Sequence, residues 1–192
     1  MNRDVHVTLA YCWGNRNAGD KAITSGTIGL LNRALGRTQI TVLSIFSAGQ
    51  EDFSISKSYL EGAHDNVTVI ETPYPKRPSR LPKVLGIPIR MATLLFSLVF
   101  PRTYGKRLPA NAAYHSLTQS DFVLFNTGHL FFWTRLLGER GLLAKHAYPL
   151  VIADRCGIPY GFYGQTLGPF EFSSHSIARR FFARLFRRSR FV

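Results

Sequence analysis

The chain opens on an alternating pattern. Val5, Val7 and Leu9 are separated by polar or small neighbours, and Tyr11 extends the run. That period of two predicts a half-buried strand. Gly14, Asn15, Asn17 and Gly19 then interrupt it. From Asp20 the period changes, and Ile23, Ile28, Leu31 and Leu35 recur near helical spacing. Gly36 is a natural stop for that helix. Val5 to Ile23 therefore reads as strand, glycine turn and helix, with Asp20 placed where a helix cap belongs.

The same reading continues along the chain. Gln39–Ile45 reads as a second strand, 46–53 as a loop, Ser54–Glu61 as a short helix and Val67–Thr72 as a third strand. Pro73, Pro75, Pro78, Pro82 and Pro88 then exclude regular helix and central strand from a basic connector over 73–88. Ile89–Phe100 is apolar almost all round, and Ala110–Gln119 reads as a helix. Asp121–Asn126 is a fourth strand, and its unbroken Phe122-Val123-Leu124-Phe125 run suits a parallel sheet covered on both faces. Leu142–Cys156 reads as a helix that Pro149 kinks or divides, with Gly157 as its stop. Tyr160–Tyr163 is a fifth strand. A final helix, capped at Ser173 or Ser174, carries Ile177, Phe181, Phe182, Leu185 and Phe186 among six arginines, and Phe191-Val192 looks like the start of a sixth strand.

Strands separated by helical patterns imply βαβ units and a mostly parallel sheet. With right-handed crossovers the expected fold is α/β, a Rossmann-like, doubly wound domain over residues 1–190. Ligands of such sheets sit beyond the carboxyl ends of the strands. Three polar, glycine-containing loops meet that rule: Gly14–Asp20, Asn126–His129 and Gln165–Phe170. The first is neither GxGxxG nor a phosphate-binding Gly-Lys-Ser/Thr loop. Free helix N–H groups there suit an anion, unless Asp20 occupies them. Asp20 and Asn15 then suit sugar hydroxyls instead. A tight turn with a capping Asp and no ligand is the plainer reading.

Charge adds a partner class. Lys and Arg number 24 against 11 Asp and Glu, a formal net charge of +13. That excess favours nucleic acid, an anionic membrane surface or phosphorylated substrates, and no nucleic-acid motif supports the first. Two cysteines, Cys12 and Cys156, form no disulfide framework and fit a reducing compartment. The start of the chain has no signal-peptide pattern. The longest apolar run, Met91–Phe100, falls short of the roughly 20 residues a membrane crossing needs. It reads as a helix packed on the sheet or as an interfacial helix dipping into lipid. The arginine helix is a solvated face, a surface for a further domain, or a contact with anionic lipid.

The three loops also carry a resemblance. Asn17-Ala18-Gly19-Asp20-Lys21-Ala22-Ile23 resembles the Gly-Asn-x-Gly-Asp-x-Ala-Ile signature of the polysaccharide pyruvyl transferase family, with an extra residue after Gly14-Asn15. Gly164-Gln165-Thr166-Leu167-Gly168-Pro169-Phe170 resembles that family's Gly-Gln-x-Ile-Gly-Pro-Phe segment. Asn126-Thr127-Gly128-His129 departs from it, being bulkier than the usual run of glycines. The resemblance covers the N-terminal half of a typical member. It implies a two-domain, glycosyltransferase-B-like enzyme whose second domain, holding phosphoenolpyruvate, would follow Val192. Such an enzyme moves an enolpyruvyl unit onto two sugar hydroxyls, forms a pyruvate ketal and releases phosphate.

The implied site residues follow. Asp20 is the candidate base or hydroxyl orienter, and His129 the candidate proton carrier. Asn15, Asn17, Asn126 and Gln165 are candidate sugar binders, and Gly19, Gly128 and Gly168 allow close approach or positive φ. Phosphoenolpyruvate is the donor, and neither cofactor nor metal is expected. The expected acceptor is a sugar or lipid-linked glycan, with peripheral contact to an anionic membrane and a cytoplasmic location on the inner face of the cell membrane. Two other readings share the pattern: a different sugar-modifying glycosyltransferase-like enzyme, and an inactive anion- or membrane-binding fragment.

Overall fold

The computed structural model describes residues 4–12, 17–71, 99–100, 112–126, 128, 131–133, 137–171 and 177–191, with the backbone alone over 133 and 137–145. The proline-rich connector, most of the apolar segment before Val99, Asn15 and His129 lie outside these residues. In chain order the elements are β1 (Val5–Cys12), α1 (Ala18–Leu35), β2 (Thr38–Ser44), α2 (Glu51–Ala63) and β3 (Val67–Ile70). They continue as α3 (Ala112–Gln119), β4 (Phe122–Asn126), β5 (Phe131–Trp133), α4 (Leu137–Cys156), β6 (Tyr160–Tyr163), β7 (Leu167–Phe170) and α5 (Ile177–Arg188).

Five strands form one sheet in the order β3-β2-β1-β4-β6, and every pairing is parallel. Parallel strands need a crossover, so helices cover both faces. On one face Ile28 of α1 and Phe53 and Leu60 of α2 pack with Val7, Leu9, Ile40 and Val42. On the other, Leu117 of α3, Val151 of α4 and Leu185 of α5 pack with Leu43, Val123 and Phe125. This is the α/β, doubly covered sheet that the alternating elements imply. Residue spacing chooses the face: Leu9 meets α1, whereas Thr8 turns to α3, where its hydroxyl lies 2.8 Å from Ser116 Oγ and 2.6 Å from Ser120 Oγ.

Several expectations need correction. Helix α1 starts at Ala18 and is capped by Asn17, whose side chain accepts a hydrogen bond from Gly19 N at 2.9 Å, so Asp20 lies in the first turn and is not the cap. The expected apolar stripe on α1 holds at Ile28, which is buried, and at Leu31, which packs against the same core, but Ile23 and Leu35 are exposed, and Thr24 and Thr27 are buried in their place. Thr27 is tolerated there because its hydroxyl is hydrogen-bonded, donating to Ile23 O at 2.8 Å. Helix α2 begins at Glu51 and α4 at Leu137, earlier than their apolar periodicity indicates. The expected loop over Gln165–Phe170 contains a strand, because Leu167–Phe170 pairs in parallel with β5 as a separate small sheet.

The suspected sixth strand has a trace. Arg190 N donates to Tyr160 O at 2.8 Å, and Phe162 N donates to Phe191 O at 3.1 Å, so this segment lies along the edge of β6. The Phe191 ring stacks on Phe122 at 5.7 Å between centroids and covers Gly161. A Cβ at Gly161 would lie 2.8 Å from the Phe191 ring, so glycine is what allows the approach.

Candidate functional site

The strand order reverses between β1 and β4: β2 and β3 lie to one side of β1, and β4 and β6 to the other. Loops leaving the carboxyl ends of two such strands diverge and leave a crevice between them. The sheet register sets the depth of that rim. Ala10 is level with Phe125, Phe125 with Phe162, and Asn126 with Tyr163. The segments starting at Asn17, Gly128 and Gly164 therefore leave neighbouring strands on one rim. Two strand spacings separate β1 from β6, about 10 Å.

A bulge shapes the β1 end. Ala10 and Tyr11 both pack against the α4 side, while Leu9 and Cys12 both pack against the α1 side. The register against β2 shifts between Ala10 and Cys12, and Tyr11 has φ of 60°, a left-handed conformation that costs a non-glycine residue about 1–2 kcal/mol. The wholly buried Tyr11 side chain, edge-on to the His146 ring at 5.5 Å, holds it there. Bulges re-aim side chains beside sites. Here the bulge turns the Cys12 thiol beneath the start of α1, beside Thr24 and Asn126.

Burial pushes the Cys12 thiol up to about 11, and the nearby Asp20 carboxylate adds to the rise. The thiol keeps its proton at neutral pH and is no nucleophile. Asn126 is fully buried, with its side-chain oxygen 2.9 Å from Thr27 Oγ1. Thr27 has one hydroxyl proton, and Ile23 O accepts it. The amide nitrogen of Asn126 and the Thr24 hydroxyl both lie near the Cys12 sulfur without completing a good hydrogen bond. With the Asn126 amide turned over, its nitrogen would donate to Thr27 Oγ1 and its oxygen would accept the Cys12 S–H; in either orientation the side chain bridges Thr27 and Cys12. Asn126 is then a structural tie between β4 and α1, beneath the crevice.

Above this layer, Asn17 and Asp20 face the rim. The Asn17 oxygen is committed to its cap bond, which leaves its NH2 group as a donor. Asp20 makes no hydrogen bond or ion pair with a described residue, and partial burial raises its carboxyl from its ordinary value. A carboxylate with a raised pKa, in the first turn of a helix and open to solvent on one side, is equipped to accept a proton or a hydroxyl hydrogen bond. Gly19 lies so close to the cap that a Cβ there would sit 3.3 Å from Asn17 Oδ1.

The other two loops are tied together. Thr166 N donates to Gly128 O at 3.2 Å, joining the segment after β6 to the segment after β4. Gly128, Gly164 and Gly168 all have positive φ, at 77°, 63° and 99°, as the sequence suggested for Gly128 and Gly168. Gln165 is half-buried between them. The structure thus brings Asn17, Gly19, Asp20, Asn126, Gly128 and Gln165 to one rim, and carries Gly168 into β7 beyond it. Sequence reasoning missed Cys12, Thr24 and Thr27. A run of two threonines at i and i+3 facing a strand end is the signal that could have flagged them. Among the described residues, no group of three His, Cys, Asp or Glu side chains could hold a metal ion.

No protein-family model matches the chain, and no curated protein resembles it at a significant level.

Proposed function

We propose that the chain is the acceptor-side half of a polysaccharide pyruvyl transferase. In this reading the crevice between β1, β4 and β6 holds the sugar, and a second, glycosyltransferase-B-like domain brings phosphoenolpyruvate to it. Asp20 takes the proton from an attacking sugar hydroxyl, with Asn17 and Gln165 orienting neighbouring hydroxyls. The hydroxyl oxygen adds to the enol carbon while the methylene carbon takes up a proton and becomes a methyl group; a second hydroxyl then displaces phosphate, its proton leaving with the phosphate, and a ketal remains. Raised basicity is what that step asks of Asp20. Cationic groups on the donor's phosphate and carboxylate belong to the second domain.

The observation that carries the reading is the convergence of the Asn17–Asp20 and Gly164–Gln165 segments at the reversal of strand order. Among the described residues no helix is long and apolar enough to cross a membrane. We place the protein in the cytoplasm, peripheral to the inner face of the cell membrane, because its charge of +13 favours an anionic surface and a lipid-linked acceptor would be found there.

The test is acceptor-dependent phosphate release. The protein at its natural length is incubated with phosphoenolpyruvate and a panel of glycans and lipid-linked sugars. Release that needs an acceptor and falls at least about a hundredfold in Asp20→Asn supports the proposal, that being the usual scale of general-base catalysis. No acceptor-dependent release across the panel, from a folded protein, overturns it.

A further inference from the structure

A second feature lies at the opposite end of the sheet. Helices α4 and α5 both finish near the start of β6, and a cavity of about 520 Å³ lies between their last turns. Val151, Phe181 and Leu185 line it with apolar surface, and Arg155, Arg184 and Arg188 with charge. A second cavity of about 240 Å³ continues it past Tyr160 to Arg190, and the two share Asp154 and Arg188. Together they make one groove.

The charge there exceeds what the fold uses. Arg188 is spent on Asp154, its Nη1 lying 2.8 Å from the largely buried carboxylate. Basic residues also offset helix C-termini, each carrying roughly half a negative charge. Four guanidinium groups, of Arg155, Arg184, Arg188 and Arg190, thus face one carboxylate and two helix ends, leaving about two positive charges unmatched. Arg184 and Arg190 have no carboxylate partner among the described residues. Arg155 is already steered, because Nη1 donates to Val99 O at 3.2 Å. A guanidinium fixed on one side keeps its remaining donors for an oxyanion.

We propose that this groove binds a phosphate monoester whose organic part is apolar or aromatic. A dianion matches the unmatched charge, the arginine fork matches tetrahedral oxygens, and Phe181 and Leu185 provide a surface for the ester group. The site lies on the rim away from the sugar crevice and does not depend on the transferase reading. The ligand is a soluble phosphate ester or the headgroup of a phosphorylated lipid, which share this chemistry.

The probes are phenyl phosphate and inorganic phosphate in titration calorimetry, and phosphatidylcholine vesicles doped with phosphatidic acid or with phosphatidylglycerol. The proposal expects saturable, one-to-one binding of phenyl phosphate, tighter than inorganic phosphate, or selective binding of phosphatidic acid over phosphatidylglycerol. The first result identifies a soluble ester and the second a headgroup. In either case the double variant Arg155→Gln/Arg184→Gln, exposed positions whose change leaves the Asp154–Arg188 pair intact, should weaken binding at least about tenfold. Arg33→Gln, an exposed charge on α1, should change nothing, and circular dichroism should report all variants folded. Phenyl phosphate or phosphatidic acid should also shield Arg155 and Arg184 from phenylglyoxal, read by mass spectrometry. Three results overturn the proposal: neither probe class binds, Arg33→Gln weakens binding as much as the double variant, or the two anionic lipids bind equally while phenyl phosphate does not.

Discussion

Asn17 and Asp20 are three residues apart at the start of α1, yet their replacement should have opposite consequences. Asn17 satisfies one of the otherwise unbonded N–H groups of the helix, at Gly19. Asn17→Ala removes that acceptor and should cost about 1 kcal/mol. For a domain of this size, about 1 kcal/mol lowers Tm by roughly 2–4 °C. Asp20 accepts no such bond, and desolvation raises its carboxyl. A carboxyl whose folded-state pKa exceeds its unfolded value contributes stability below the carboxylate range and loses it as pH rises through the folded pKa. At pH 7 the charged side chain therefore opposes folding, and Asp20→Asn should be as stable as the natural chain or more so. Urea denaturation followed by circular dichroism, at pH 7 and again near pH 4, measures both variants. The advantage of Asp20→Asn should shrink at the lower pH. The reasoning fails if Asp20→Asn loses as much stability as Asn17→Ala at pH 7, since Asp20 would then be holding the helix end.

Three further outcomes are expected. Gly161→Ala should push the Phe191 ring off the β6 edge and cost about 1–3 kcal/mol, an overpacking penalty visible as a lower urea midpoint. At pH 8 a disulfide-exchange reagent should label Cys156 and spare Cys12, whose thiol is buried and pushed up to about 11; full labelling of both should require denaturant. Tyr160, pushed up to about 12 chiefly by burial and then by Asp154, donates its hydroxyl to Leu185 O at 2.8 Å. Its contribution is complete below about pH 10 and lost as pH rises through about 12, so Tyr160→Phe should flatten alkaline unfolding in that window while costing about 1 kcal/mol at pH 7.

How far the sequence is legible depends on which force acts locally. Strands β4 and β6 were readable because both faces of each are buried, so Phe122–Phe125 and Tyr160–Phe162 had to be apolar. The turn at Gly164–Thr166 was readable because strand ends in a parallel sheet need polar, turn-forming residues, whereas Leu167–Phe170, read as loop, pairs as a strand. The α1 face was readable only at Ile28 and Leu31, because the helix also buries threonines through hydrogen bonds, and hydropathy periodicity is blind to them. The Asn17 cap was missed for a related reason: Asp20, equally suited to a helix start, was read as the cap, and the bond from Gly19 N to Asn17 places the cap three residues earlier. The pairing of β5 with β7 unites short segments far apart in sequence, and a three-residue strand carries no period to detect. The bulge at Tyr11 arises from packing against α4, which no local pattern announces.

Under the proposed function, segments from three parts of the chain form one sugar-binding crevice at the reversal of strand order. Backbone amide NMR on titration with acceptor glycans tests it most directly. The account predicts shifts concentrated at Asn17–Asp20, Gly128 and Gly164–Thr166, with little change around Asp154 and Arg188. Shifts gathered at the α4–α5 end of the sheet instead, leaving the rim amides unmoved, would contradict it.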